Sequence, residues 1–454
     1  MTIPAPIVSF LLFATLMTFA RPACAARPAL IDSLDVSGGV ASSDGTQMPF
    51  WLRSGRDGRI GSEPGTVAFS RFRMLKRADE EKVLDWNYGI DLTAHSRSSS
   101  DLVWTDAYLG ARWKELRLTL GRKSEPFGLA DSLLTAGHEV YSRNAPTIPK
   151  IAVSTSGYID LVDGLAVTAY LAHGWMGQDQ EVKGLYLHQK FIYFRVGGTN
   201  PDSGVDLYGG LHDVAWWGGE GNPSGLKDYT RVLLGKTGST GATANDQINA
   251  LGDHRGTIEF AIKFKEDWHD WYFYAMSMFE DGSGLRFWKP GDYQIGASWI
   301  NKYPESAIVR ANAELLDTRF DTSSAATEPD NYFNGQYGGW VHEGYGIGTP
   351  FVSFTRGAGT AYSAMNRVRA LSAGVLLRYS NAINPLLRAA WIRSYGSFNA
   401  PLAESQRAST VACALANTSA VAPGWSLTQE FFLDATKSSK STPGFILSVT
   451  KSFF

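Results

Sequence analysis

The chain reads as an all-β protein, a transmembrane antiparallel β-barrel, and three observations predict that class. Apolar residues recur at every second position in one short segment after another, an apolar export-type segment heads the chain, and the last residues form a strand that closes on an aromatic. In a soluble sandwich such oily faces would cover each other. In a membrane barrel they meet lipid, and the alternate residues line a wet lumen.

The first element is the apolar run from Ile7 to Ala20, followed by Ala23-Cys24-Ala25, which fits small-x-small cleavage and predicts a signal peptide over residues 1–25. The stretch before it carries no Lys or Arg. Cys24 offers a lipoprotein alternative, although Arg21 stands where that pattern wants Leu. The remainder, 26–454, reads as a single domain. It holds no uncharged apolar run of about 18 residues, so only strands can cross a bilayer. Cys413 is then the sole cysteine, which excludes an internal disulfide and a cysteine-rich metal site.

The clearest ribbon is 101–122. Val103, Ala107, Leu109, Ala111 and Trp113 alternate, then Leu116, Leu118 and Leu120 resume after a turn, predicting a hairpin with one apolar face. The same writing returns at 165–171, 258–264, 271–279, 368–379 and 386–393. Four irregular stretches, 125–155, 218–252, 318–366 and 398–424, are candidate loops or plugs. Within 125–155, the run from Leu129 to Ala136 has a short helical look and 144–150 is too proline-rich for a central strand, so this piece is expected across or under the barrel. Length alone allows roughly 16 to 18 strands. In the closing segment, the frame counted from Phe453 turns Val449, Leu447 and Phe445 outward and leaves Lys451 to snorkel.

Composition agrees: 13% aromatic, 19% charged and 47 glycines suit a membrane barrel with aromatic girdles. A net charge of −2 speaks against a nucleic-acid partner. Gly235-Lys236-Thr237 resembles the end of a phosphate loop, but Thr230 stands where its first Gly belongs. No GxSxG or HExxH occurs, and the adjacent pairs His138-Glu139 and His212-Asp213 would point to opposite sides of a strand. No catalytic residue, metal or cofactor is expected.

Segment 328–350 stands apart. It concentrates Asp330, Asn331, Tyr332, Asn334, Tyr337, Trp340, Glu343 and Tyr345 among glycines. Sugar sites mix flat aromatics, which stack on C–H faces, with amides and carboxylates, which pair with hydroxyls. From composition alone, a loop whose aromatics only anchor it at the membrane interface reads equally well.

Asp330-Asn-Tyr-Phe-Asn334, Gly339-Trp340 and Gly346-Ile-Gly-Thr-Pro350 resemble the signature of the Wzi-type capsule assembly proteins, outer-membrane barrels of capsule-bearing Gram-negative bacteria. Other stretches agree in order: Pro49-Phe-Trp-Leu52, Ser142-Arg-Asn-Ala-Pro-Thr-Ile-Pro-Lys150, Leu187-His-Gln-Lys190, Gly210-Leu-His-Asp-Val-Ala-Trp-Trp-Gly-Gly219 and Asn366-Arg367. The resemblance implies 18 strands, a lumen occluded by loops and a short helical plug on the periplasmic side, and a lectin-like role that holds capsular or related exopolysaccharide at the cell surface. Two departures are a short, glycine-rich start before Pro49 and the shifted register of the last strand. Asp330, Asn331, Tyr332, Asn334, Trp340 and Glu343 are the expected polysaccharide contacts. Arg143, Asn144, Trp216 and Trp217 form a second rank, with bracing of the plug or rim as the alternative. The expected partners are the polysaccharide, outer-membrane lipid and lipopolysaccharide, with the export machinery as a further candidate. Two rivals stay open: a porin or sugar-selective channel, and an outer-membrane hydrolase.

Overall fold

The computed structural model describes residues 30–44, 47–61, 63–96, 102–178, 180–198, 203–280, 292–320, 332–334, 336–357, 362–380, 383–437 and 439–454. The signal peptide expected over 1–25 lies outside them, as do Asp330 and Asn331.

One closed sheet makes up the molecule. Its strands are β1 (Ser33–Ser43), β2 (Thr66–Lys76), β3 (Leu84–His95), β4 (Leu102–Trp113), β5 (Leu116–Arg122), β6 (Lys150–Thr155), β7 (Leu165–Trp175), β8 (Leu185–Gly197) and β9 (Gly204–Gly218). They continue as β10 (Asp253–Lys265), β11 (His269–Phe279), β12 (Tyr293–Asn301), β13 (Ile308–Asp317), β14 (Val368–Leu377), β15 (Leu386–Ser394), β16 (Ser409–Ala422), β17 (Trp425–Thr436) and β18 (Thr442–Ser452). A short piece, Ile159–Val162, extends β6 along the same neighbour, so 19 segments fill 18 positions. Every strand pairs antiparallel with its chain neighbours, and β1 closes on β18 from Asp35↔Ser452 to Ser43↔Gly444. Closure removes the edges that lipid could not satisfy.

The two ends differ. Tight turns such as Lys114-Glu115, Asp163-Gly164 and Pro423-Gly424 join strands at the end that also holds both sheet termini, with Gly164 and Gly424 supplying φ of 79° and 71°. All the long connections lie at the other end.

Outward positions form an apolar belt. Leu109, Leu118, Leu120, Phe194, Leu207, Phe260, Phe273, Ile295, Leu371, Val411, Leu433 and Leu447 are 40–53% exposed. Trp86, Trp113, Trp268, Trp271 and Tyr303 ring the short-turn end, while Trp104 and Trp175 stand near the long-loop end, as membrane-interface girdles do. Phe445 and Leu447 point outward and Ile446 inward, so β18 takes the frame counted from Phe453. Lys451 reaches the Pro423 carbonyl at 3.2 Å and lies over the Trp425 ring.

Three expectations need correction. Val103 belongs to the predicted apolar face, but the register slips between Asp91↔Asp106 and Leu92↔Trp104. The extra residue, Thr105, reverses the phase, so Trp104 and Leu102 face out. The 398–424 stretch is not all loop: Ser409–Ala422 is a 14-residue strand whose Ala, Ser and Thr positions mute the period-two signal. The run from Leu129 to Ala136 is not helical. Asp131 accepts from the Leu133 and Leu134 amides, as a helix cap would, and only a single turn follows.

Because the belt must stay apolar, Leu371→Arg is expected to destabilise the folded barrel by about 2–4 kcal/mol. Denaturant unfolding in phospholipid vesicles checks this, with Ser372→Arg on the lumen side as the contrast.

Candidate functional site

The half of the lumen nearest the long loops is filled by chain. Residues 123–149 enter between β5 and β6 and cross the barrel as a plug, the bound differing from the predicted 125–155 because Lys150 already begins a strand. Residues 47–61, which include a helical turn at Phe50–Arg53, enter between β1 and β2 and pack against β16 and β17. There Trp51 Nε1 donates to the Ala412 carbonyl (3.2 Å), the Phe50 amide to Asp434 (2.7 Å), and Arg56 forks onto Glu430 (2.6 and 3.1 Å).

Irregular backbone inside a barrel must find partners for its amides. Three carboxylates supply them. Glu259 of β10 accepts from the Leu129 amide (2.6 Å), His138 Nε2 (2.9 Å), Tyr193 Oη (2.6 Å) and Thr257 Oγ1 (2.8 Å). Glu314 of β13 accepts from the Ala136 amide (2.9 Å), Thr135 Oγ1 (2.6 Å) and Tyr274 Oη (2.6 Å). Asp131 of the plug reaches back to Ser298 Oγ (2.6 Å) and Arg310 Nε (2.7 Å).

His138, His212 and Glu259 bring ligand-type atoms within 4.8 Å of one another, the distance a metal set would need. The proton arrangement argues otherwise. His138 Nδ1 accepts from the Val140 amide at 3.2 Å, so Nε2 carries the proton and donates to Glu259, whose oxygens are already taken by the donors just named. The set is a hydrogen-bonded latch between plug and wall.

The signature segment forms small hairpins stacked on the plug. Phe333–Asn334 pairs with Gly338–Gly339, Val341–His342 with Tyr345–Gly346, and Ser353–Arg356 with Tyr362–Met365. Trp340 is fully buried, stacks on Trp216 with centroids 4.7 Å apart, and donates Nε1 to the Val140 carbonyl at 2.8 Å. Tyr332 is buried beside it, and Arg255 lies over both rings at 5.7 and 5.1 Å. Gly348 lets two backbones touch, because a Cβ there would lie 2.2 Å from the Glu139 carbonyl oxygen.

The predicted residues therefore separate. Tyr332 and Trp340 turn no ring face to solvent, so the expectation that they act as stacking plates is not met in this arrangement. Trp216 and Trp217 point to opposite sides of β9, one bracing the hairpins inside and the other packing on Tyr186 and Tyr229 outside. Asn144 is buried and donates Nδ2 to the Gly346 carbonyl (2.9 Å). Two predicted residues reach the surface and a third does not. Asn334, half-buried, accepts from the Gln336 and Tyr337 amides. Arg143, its side chain 43% exposed, opens into an internal pocket that it lines with Phe127, Ser132 and Arg388, and reaches Asp57 (3.1 Å) and Ser124 (2.9 Å). Glu343, 41% exposed, sits on a hairpin tip near His342 (3.5 Å) and Arg122 (4.0 Å). Missed at the level of sequence were Glu259, Glu314 and Asp131, single acids in ordinary strand or loop context.

Two buried groups beside this cap are electrically tuned. Burial, aided by the Arg122 charge, pushes His342 down to about 3, so it stays neutral and contacts Gln180 through Nδ1 (3.2 Å). Burial pushes Glu139 up to about 8; Tyr332 Oη approaches one oxygen at 3.4 Å, and the other has no partner among the described residues.

Glu259→Gln, which replaces an acceptor oxygen by an NH₂ facing buried donors, is expected to cost about 1–3 kcal/mol. Amide hydrogen exchange should speed up across 126–141 while the strands stay protected. For Glu139 the folded form holds its proton more tightly than the unfolded chain. Stability contributed by the neutral form is present at low pH and falls as pH rises from the ordinary carboxylate range through about 8. Glu139→Gln should flatten that slope, read as thermal midpoints from acidic to mildly alkaline buffer.

No protein-family model matches the chain, and no curated protein does. Among solved structures it is similar to Wzi of Escherichia coli, an outer membrane protein described as a carbohydrate-binding β-barrel involved in group 1 capsule assembly. The TM-score is 0.62 at 14% identity, over 97% of this chain and 92% of that one. OpdL of Pseudomonas aeruginosa gives a TM-score of 0.47 at 10% identity, over 93% and 98% of the two chains. The outer membrane channel DcaP of Acinetobacter baumannii gives 0.39 at 10%, over 94% and 99%. The likeness to Wzi carries the fold along nearly the whole chain: this protein is a closed, 18-stranded antiparallel β-barrel of the outer-membrane type with the architecture of Wzi.

Proposed function

We propose that the protein is a non-catalytic outer-membrane lectin that holds capsular or related exopolysaccharide on the cell surface through its long-loop face. The short-turn end, which carries both sheet termini, faces the periplasm in this reading. The observation that carries it is the filled lumen. The plug is tied to β10, β12 and β13, and residues 47–61 to β16 and β17, which makes the long-loop end a built surface and disfavours an open diffusion channel. The carbohydrate binding of Wzi, a distant likeness, points the same way.

Surface polar groups replace the buried aromatics as the contacts. Glu343 is the first. It occupies the first position of a two-residue hairpin turn with φ 48°, followed by Gly344 at φ 82°, where Asn or Gly is preferred. An exposed acid kept at a strained tip is one of the features that cluster at ligand-contacting sites. Asn334 completes the set, with Asp330 and Asn331, which lie outside the described residues, as further members proposed from the sequence. Each contact is weak, and a repeating polymer that spans many barrels gains by avidity.

Glu343→Asn separates the two roles of that position. The variant is expected to fold at least as stably as the wild type, yet to bind oligosaccharides of the cell's own capsule roughly tenfold more weakly, the loss of one charge-assisted contact. Calorimetric titration and capsule shedding read this. Unchanged affinity and unchanged retention in Glu343→Asn combined with Asn334→Ala would remove this face as the site. Porin-like conductance in planar bilayers would favour the channel reading instead.

A further inference from the structure

On β7 to β10 the outward positions change character with height. Leu171, Ile192, Phe194, Val196, Leu207, Leu211 and Phe260 belong to the apolar belt. Toward the long-loop end, the same outward face carries His173, His188, Lys190, Asp213 and His254. Acyl chains would leave these unsatisfied. Residues 219–252 form a flap that covers them: its first half folds back against the outside of the wall, while Thr243 and Asp246 reach across the rim to Gln336 and Tyr337.

The flap is pinned by those same polar groups. Lys190 Nζ donates to the Leu233 carbonyl (2.8 Å) at the end of helix α1, Leu226–Leu233, and pairs with Asp213 (2.8 Å), which in turn contacts His254 Nδ1 (3.1 Å). Tyr229 packs on His173 and His188, each with centroids 5.6 Å away, and Val232 is fully buried. With Tyr229 and Val232 against the wall, Lys227, Arg231 and Leu234, spaced i, i+4, i+7, share the opposite face. Leu234 is 61% exposed, Leu226 80% and Ile248 76%, and Lys227 and Lys236 are exposed beside them. Arg231 spends one N–H on the Thr237 carbonyl (2.6 Å), which leaves others in its fork.

Cations interleaved with exposed leucines, immediately above a lipid belt, match the chemistry of a membrane interface. We propose that the outer face of this flap binds the phosphorylated glycolipid of the outer leaflet, lipopolysaccharide. Lys227, Arg231 and Lys236 take its phosphates, and Leu226 and Leu234 lie against the boundary of its acyl chains. Continuity with the belt decides the occupant, since a hydrated polymer gains nothing from bare leucines. The inference rests on the outer-membrane reading and not on the lectin reading.

The test uses the full barrel in phosphatidylcholine vesicles with and without lipopolysaccharide, comparing the wild type with Lys227→Ala/Arg231→Ala/Lys236→Ala. Lipopolysaccharide should raise the thermal midpoint of the wild type, and inorganic phosphate alone should not. The triple variant should retain its midpoint in plain phosphatidylcholine and bind lipopolysaccharide on the order of tenfold to a hundredfold more weakly. Lys227→Gln/Arg231→Gln, at solvent-facing positions, gives the same readout if the triple variant folds poorly. Equal binding by variant and wild type overturns the proposal. So does a wild-type shift produced by phosphate alone, or no shift with lipopolysaccharide.

Discussion

An irregular segment drawn into a barrel must have every amide it brings answered, by the wall, by other inserted loops or by its own turns. The rest of this structure depends on how that demand is met. Glu259 and Glu314 extend from mid-strand positions and accept main-chain N–H groups of the plug, while Asp131 extends from the plug and accepts from the wall. Two-way anchoring fixes both height and rotation of the segment. Once 123–149 is fixed, its Val140 carbonyl receives Trp340 and its Glu139 backbone meets Gly348, so the signature hairpins have a floor.

The upper lumen is thus closer to a soluble protein core than to a water channel. One buried cluster gathers Val140, Ile148, Leu187, Trp216, Tyr332, Trp340 and Ile347, and a second joins Trp51, Leu52, Phe351, Val368 and Phe432. A barrel filled in this way gives its loops a stiff floor. In the proposed lectin, the surface that meets a polymer would be built on that floor and not on the lumen wall.

Much of the architecture was legible because lipid enforces period two on one face of every strand. The C-terminal frame, the Leu116 to Leu120 ribbon and the opposite orientations of His212 and Asp213 follow from that rule alone. It fails where the rule is relaxed. Thr105 adds a residue to β4 and reverses its phase, and the small residues of Ser409–Ala422 blur its faces. The plug run from Leu129 to Ala136 has helix-forming composition, yet Asp131 and Glu314 draw its amides elsewhere. The candidate site was legible only as a region. Composition marks 328–350 as aromatic and polar, but whether Trp340 faces sugar or Trp216 depends on what lies beneath it, which is set about 200 residues earlier in the chain.

Trp216 and Trp217 adjoin on one strand and face opposite ways, one into the interior cap and the other beneath the external flap. In the proposed lectin, a load on the cap would pass through Trp216 into the backbone of β9, one residue from where Trp217 packs on Tyr186 and Tyr229. That strand is hydrogen-bonded along both edges, to β8 and β10, so many ladder bonds would share the tension.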